Sequence, residues 1–595
     1  MISVKINNQF VDLFEDASLK YVFNSPAFSD AAVVGDFSYP MSFPLTDLNK
    51  EIFNYIDLVD TYEDVINYPF ELYLKDQFIV GGNFKVTDIE GKISGNLLNS
   101  GYGFINTIKN KTTRDLQMSD ITRHTGDIQE IIEASHASGY PTYHFAHFPI
   151  LNEILYDDIE YEDINWKTLP YLNFYTYDIN NDPVFFIHVL FPYLAHVVDS
   201  IFSTFDIRAE NNLIAEHTEL KKLVLLNLYR KRKYPETYRL VDNIVEVSIE
   251  ELLKGINDTL GIKLFFDHRV NQVEMIYLKD LLSSGDYVDW TDKVVNQPKK
   301  NISEDLSFKS FEFDFDSGDE TISAIQIIKE IFDELTLTAP VNSTVQLPDY
   351  SSGGWSSHAG ETTFVVSDQC YYIIVDDGTG VYGWEPLTWK FFKKLLNEEN
   401  EKEHNSTLSP VGMLDHLLRH DLGVERGSTS GTSTSQAYYN TYWLTPFWNQ
   451  KLFQKSTSGA LARLKPDDLN GNVSGPDYID IKARLLFFRG LRDDHSNYKY
   501  PLGTNSHYDC KGTSIGSLSL TWEGSDGLYE NFWKDWIEFI NKAKPYPFEI
   551  QLDMVDILSL KMKKKVRIAN NKYLIKKISV DFPIKKPAIV ELVRI

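Results

Sequence analysis

LSLTWEGSDGLYENFWKDWIEFINKAKPYPFEIQLDMVDILSLKMKKKVRIANNKYLIKKISVDFPIKKPAIVELVRI, residues Leu518 to Ile595, reads as strand, turn, helix and then a run of strands. Trp533, Trp536, Ile537 and Ile540 fall at i, i+3, i+4 and i+7, a spacing that puts them on one face of a helix. Pro545 and Pro547 stop that helix, and Phe548, Ile550 and Leu552 then alternate as in a half-buried strand. Val566 and Ile568 lead into Asn570-Asn571, a pair suited to the left-handed turn of a tight hairpin. Tyr573 to Phe582 is the return strand and Ile589 to Ile595 a final one, so this end of the chain is expected to be tied into a sheet.

Charge singles out the same stretch. The chain of 595 residues carries a net charge of -27, which argues against a general or sequence-specific nucleic-acid binder. From Met554 to Ile595 there are 11 Lys and Arg against three acids, a balance of +8, so the rest carries -27 - 8 = -35. Such a run is either a solvated basic strand face or a docking surface for an acidic partner, including the acidic body of a neighbouring copy. Lys561, Lys563, Lys564 and Lys565 lie between two strands, where their heads reach outward while neighbouring apolar residues stay buried. They are the candidate subunit-interface residues.

Length allows several domains, each with its own core. Residues 1–110 read as a β-rich, barrel-like domain of short alternating runs broken by Asn-Asn, Gly-Gly and Glu-Gly turns. One helix interrupts it, with Leu48, Ile52 and Tyr55 on one face after an Asp47 or Thr46 cap. Residues 111–180 form a connecting segment. Residues 181–340 form a helix-to-strand region in which one interval pattern occurs three times: Leu194, Val197, Val198, Ile201, Phe205; Ile249, Leu252, Leu253, Ile256, Leu260; and Ala324, Ile327, Ile328, Ile331, Leu335. Each set runs into a short strand, Ser248 with Glu251 makes a capping box for the second, and Gly261 stands where a left-handed C-cap belongs. Residues 341–530 alternate Ser/Thr/Gly-rich loops with aromatic-rich pieces and read as an inserted domain. Residues 531–595 supply the closing helix and strands. The fold class expected is α+β, multi-domain and sheet-rich.

Chemistry-bearing clusters are incomplete. His136, His144 and His147 include a His-x-x-His pair, but no Cys or acid between Gly139 and Leu151 completes a metal set, which leaves packing at the surface. His416 and His420 share a helix face, yet Leu417 stands where zincin chemistry needs Glu. His495, His507, Asp509 and Cys510 cluster without a mark of an activated thiolate. The acid-and-glycine loops at Asp314–Glu320, Asp376–Gly380 and Pro466–Asp477 miss the calcium-loop pattern. Two cysteines, Cys370 and Cys510, make no disulfide framework. No phosphate-binding or dinucleotide motif is present, so no metal, cofactor or catalytic residue is expected. The opening MISVKINNQF has neither the basic nor the apolar region of a leader. The apolar run Pro183 to Phe205 is amphipathic in its second half and reads as a buried helix, not a membrane span.

GLYENFWKDWIEFI, KVRIANNKYLIKKISVDF and the acid-bearing last strand together resemble the hub proteins of tailed phages. More narrowly they are similar to tail or baseplate proteins of phages and prophages of Bacteroidetes-type bacteria. RLLFFRG (Arg484 to Gly490) and FNSPAFSDAAVVGDFSYPMSFPLTDLN (Phe23 to Asn49) carry the same resemblance. It implies a non-enzymatic virion protein, made in a host bacterial cytoplasm, that assembles as a homotrimeric ring at the distal end of the tail tube. The implied partners are the tube protein, the tape-measure protein and other baseplate or fibre proteins, with a role in host attachment. The alternative from another class is a glycan-binding or cell-wall-degrading module housed in residues 341–530.

Overall fold

Both ends of the chain enter one sheet. The computed structural model describes residues 2–31, 37–38, 40–58, 67–74, 76–99, 104, 107–122, 128–151, 171–173, 175–177, 183–185, 189–227, 237–267, 272–296, 310–315, 347–350, 362–365, 370–376, 382–387, 401–414, 445–447, 453–455, 461–463, 483–493, 499–509 and 511–595. In it Leu19–Asn24 pairs antiparallel with Asn571–Phe582, from Leu19 opposite Phe582 to Asn24 opposite Lys577. A 14-stranded sheet spreads from this pair. On one side follow Phe37–Ser38, Lys92–Asn99, Gln77–Ile89, Asn67–Leu74, Ile2–Ile6 and the edge strand Gln9–Phe10. On the other follow Ala588–Arg594, Pro545–Ile550 and Val294–Asn296. Lys565–Ile568 branches from Asn571–Phe582 and carries Tyr287–Asp289 as a parallel edge strand.

Alternation explains which face is buried. Ile2, Val4 and Ile6 point inward while Ser3 and Lys5 stay half exposed, and Asn7 and Asn8 take the positive φ angles of a tight hairpin turn. Phe84, Ile578, Val580 and Leu592 line the same core, so the strands from Ile2 to Leu97 and those from Phe548 to Leu592 share one hydrophobic interior in a partial barrel. The prolines of Pro545–Ile550 lie within a strand, opposite Val593 and Glu591, beyond the short stretch that Val294–Asn296 covers. The hairpin of Lys565–Ile568 and Asn571–Phe582 turns one residue earlier than its sequence indicates: Ile568 pairs with Asn571, and Ala569 takes the positive φ.

The first helix also departs from expectation. Asp47–Ile52 is capped by Thr46, whose side chain accepts from the Asn49 amide. Its inward face is Asn49, Ile52 and Phe53, whereas Leu48 and Tyr55 are 43% and 48% exposed. The helix ends at Ile52 and the chain bends left-handed at Asn54 and Tyr55, which removes Tyr55 from any helical register.

A second core holds the helix-to-strand units. Leu194–Thr204 leads to Arg208–Ala209, and Ile249–Leu260 leads to Ile262–Asp267. Both strands belong to one three-stranded sheet centred on Gln272–Tyr277. Ser248 accepts from the Glu251 amide at 3.0 Å, and Gly261 ends the helix at φ 61° as its spacing predicts. The third unit, Ala324 to Leu335, lies outside the described residues. Leu223–Leu226 pairs with Arg484–Asp493, so residues read with the 341–530 segment pack against the same core. Trp533, Trp536, Ile537 and Ile540 are all buried there, on a π-helical turn that runs into Lys534–Ile540. The protein is therefore α+β and sheet-rich. Among the described residues no helix is long and apolar enough to cross a membrane.

Ile256 is 2% exposed at the centre of its helix. Ile256→Asp buries an unpaired carboxylate and is expected to lower stability by about 4 kcal/mol. Urea denaturation with a midpoint like the parent's would show that this packing is misassigned.

Candidate functional site

The lysine segment runs from the short helix Met554–Leu558 into Lys565–Ile568. Asp553 and Asp556 form a capping box at the start of that helix, and Lys293 clamps both at 3.1 and 2.5 Å. Past the helix the four candidate lysines separate. Lys561 is exposed and Lys564 half-buried. Lys563 ion-pairs with Glu274 on Gln272–Tyr277, which ties the segment to the second core. Lys565 is only 3% exposed, which corrects its reading as an outward-reaching residue. It donates at 2.6 Å to the carbonyls of Leu282 and Ser284, at the C-terminal end of the helix Leu278–Ser283. Those carbonyls have no partner within the helix, and the negative end of its dipole favours an ammonium there. Burial lowers the Lys565 pKa and the charge of Lys572 adds to the effect.

Above this segment lies a cavity of about 120 Å³ between Phe23, Phe265 and Leu560, rimmed by Glu210, Asp267 and Lys561. Its lining mixes apolar side chains with charges of both signs. That composition suits ion pairing between segments, as Lys563 and Glu274 show.

The histidines form two pairs from three parts of the chain. His136 Nε2 sits 3.3 Å from His147 Nδ1, both buried, and burial pushes His136 down to about 4. His144 stacks on His196 with ring centroids 4.0 Å apart, and burial with its neighbour's charge lowers His196 to about 4. Packing of His136 and His147 is thus internal, not at the surface. Among the described residues no three His, Cys, Asp or Glu converge as a metal site. His507 instead meets Asp526 at 2.7 Å and Ser519 at 2.8 Å. His416, His420, His495 and Cys510 lie outside the described residues, as do residues 316–320, 377–380 and 466–477.

One polar constellation was not apparent from sequence. Arg489, at the end of RLLFFRG, is buried against Glu219, which also accepts from Lys222 at 2.7 Å and from the Ser517 amide at 3.3 Å. Arg489 donates further to the Leu518 carbonyl at 2.8 Å. A Cβ on Gly516 would overlap both the guanidinium and the carboxylate, so a larger residue there would have to displace the pair. Burial works to raise the Glu219 pKa, but the hydrogen bonds and charges of Lys222 and Arg489 outweigh it and hold the carboxyl at about 2. The Glu219–Lys222 spacing was a readable signal; Arg489 is far away in sequence and gave none.

No family model matches the sequence, and no curated protein matches it. Among solved structures the chain is similar to the 43 kDa tail protein of prophage MuSo2 from Shewanella oneidensis. That match has 7% identity, covers 100% of this chain and 96% of the other, and has a TM-score of 0.30. A tail protein from Neisseria meningitidis MC58 is similar at 10% identity over 65% of this chain and 89% of that one, with a TM-score of 0.19. Superpositions this loose fix neither fold nor role.

Glu219→Gln leaves a buried guanidinium without its counter-ion, an expected loss of about 3–5 kcal/mol at neutral pH. The folded carboxyl titrates below its ordinary 4.5, so its contribution is complete above that value and lost as pH falls towards 2. Denaturation midpoints of parent and variant should converge across that window. Midpoints separated by a constant amount at every pH would contradict the pairing.

Proposed function

We propose that this chain is a structural part of a phage tail, at the hub or baseplate, that assembles with copies of itself into a ring of three. The observation that carries this reading is where the resembling segments meet. Phe23 to Asn49 and Leu518 to Ile595 are remote in sequence, yet Leu19–Asn24 and Asn571–Phe582 are adjacent strands of one sheet. Part of the resemblance to tail hubs, the segments Phe23 to Asn49 and KVRIANNKYLIKKISVDF, thus meets in one sheet, a partial barrel with open edges, which is the kind of element that continues a tube from subunit to subunit, while GLYENFWKDWIEFI and RLLFFRG pack in the second core. On this reading the role is mechanical, and the partners are the tube, tape-measure and peripheral tail proteins. Lys561 and Lys564 remain candidates for the subunit boundary. Lys563 and Lys565 act within the chain, holding the basic segment against its second core.

Purified particles test the reading. Gold-labelled antibody against the chain is expected at the tail tip, and disruption of its gene should yield heads without joined tails. A chain absent from particles by mass spectrometry would overturn it.

A further inference from the structure

The turn between the helix Ile128–Ala137 and the strand Phe145–Ala146 is strapped across the first turn of the helix Leu194–Thr204. Three contacts hold it there. Phe145–Ala146 pairs with Phe191–Pro192, and the Tyr193 amide extends that ladder by donating to the His144 carbonyl at 3.0 Å. The Tyr140 hydroxyl donates to Asp199 Oδ2 at 3.0 Å. The His144 ring lies on the His196 ring, with centroids 4.0 Å apart and planes 14° from parallel.

Such a stack suits neutral imidazoles. His144 Nδ1 is 2.9 Å from Ser119 Oγ, whereas His196 Nε2 is buried and has no hydrogen-bond partner among the described residues. A proton added to His196 would therefore place a charged N–H with no acceptor in the interior. His196 also stands in the first turn of its helix, where the positive end of the dipole opposes a cation. The titratable groups around the stack are Asp199, Tyr140 and Tyr193. Asp199 favours a cation at His144, but its Oδ2 already accepts from Tyr140 and its Oδ1 from Asn212 at 2.9 Å. A proton that settles on His144 then opposes a second one on His196.

We propose that the His144–His196 stack is an acid-released latch: protonation in mildly acidic solution frees residues 139–144 from the helix Leu194–Thr204 while the rest of the fold stays closed. Opening bares Tyr140 and Tyr143, which the closed strap holds half-buried against the second core. Desolvation lowers both histidines, His196 to about 4, so the closed strap binds a proton less tightly than the open one, whose imidazoles titrate near the ordinary 6.5. Closure is thus complete above about 6.5, weakens as pH falls, and stops changing below about 4. The latch belongs to the chain by itself and does not depend on the tail reading.

Hydrogen exchange of the full chain, read by mass spectrometry and corrected for intrinsic rates, tests it at pH 7 and pH 5. Peptides covering residues 139–144 are expected to lose protection about tenfold or more between the two. Those from Leu19–Asn24 and Asn571–Phe582 should change less than about twofold. His144→Phe with His196→Phe keeps two stacked rings and removes both titrating groups, so the change in residues 139–144 should shrink about tenfold. His196→Phe alone, the milder substitution, should remove most of it. The His136–His147 pair packs on Phe488 and is untouched in both variants, so any pH dependence it supplies is common to all three chains. Equal protection of residues 139–144 at pH 7 and pH 5 in the parent, or an undiminished change in the variants, refutes the latch.

Discussion

The antiparallel ladder between Leu19–Asn24 and Asn571–Phe582 is the constraint on which the rest depends. Without it the large sheet falls into two wings, each with a new edge of unpaired amides and carbonyls. Its side chains make the join more than a backbone seam: Leu19, Tyr21, Val22, Ile578, Val580 and Phe582 are all buried. Tyr21 packs on Phe23 and Phe582, with ring centroids at 4.8 and 6.4 Å. The Ser25 amide then donates to the Lys576 carbonyl at 3.0 Å and carries the ladder past the strand's end. Apolar burial on one face and a continuous run of hydrogen bonds therefore hold the two chain ends at the same place.

Other joins are made differently, by lysines bonded to main-chain oxygen, of which Lys565 links the two cores. Lys263 reaches the Ser29 carbonyl at 2.5 Å, Lys279 the Asn531 carbonyl at 2.6 Å, and Lys565 the end of Leu278–Ser283. Each ammonium loses water on burial and recovers hydrogen bonds from oxygens that the local structure leaves over. Lys279 also lies over the rings of Tyr277 and Phe532, themselves stacked at 5.6 Å. Of the basic charge that distinguishes residues 554–595, Lys563 and Lys565 are thus engaged within the molecule, while Lys561, Lys572, Lys585, Lys586 and Arg594 are exposed.

Local signals were legible where one element's own periodicity decided the outcome. The alternation of Ile2–Ile6, the glycine at 261 and the apolar face from Trp533 to Ile540 all follow from spacing within a few residues. What escaped was set by neighbours distant in sequence. Whether Lys565 points out or in depends on Leu278–Ser283 ending beside it, and whether Leu48 is covered depends on how the Asn7–Asp12 turn docks. Arg489 reads as an ordinary charge at a strand's end until Glu219 is placed against it. Of the candidate interface, the basic excess was legible in composition, while its division into seam and surface required the fold.

The order of synthesis gives the central ladder a further meaning. Ribosomes release the N-terminal strands first, and Leu19–Asn24 has no partner on its other side until Asn571–Phe582 emerges. Contacts this remote in sequence form late, because a long loop must close before they contribute anything. The first core therefore stays incomplete until Asn571–Phe582 is in place. A chain interrupted before Asn571–Phe582 leaves Leu19–Asn24 with an open edge and the apolar face of the first wing uncovered, so the topology marks an unfinished chain by the surface it leaves exposed.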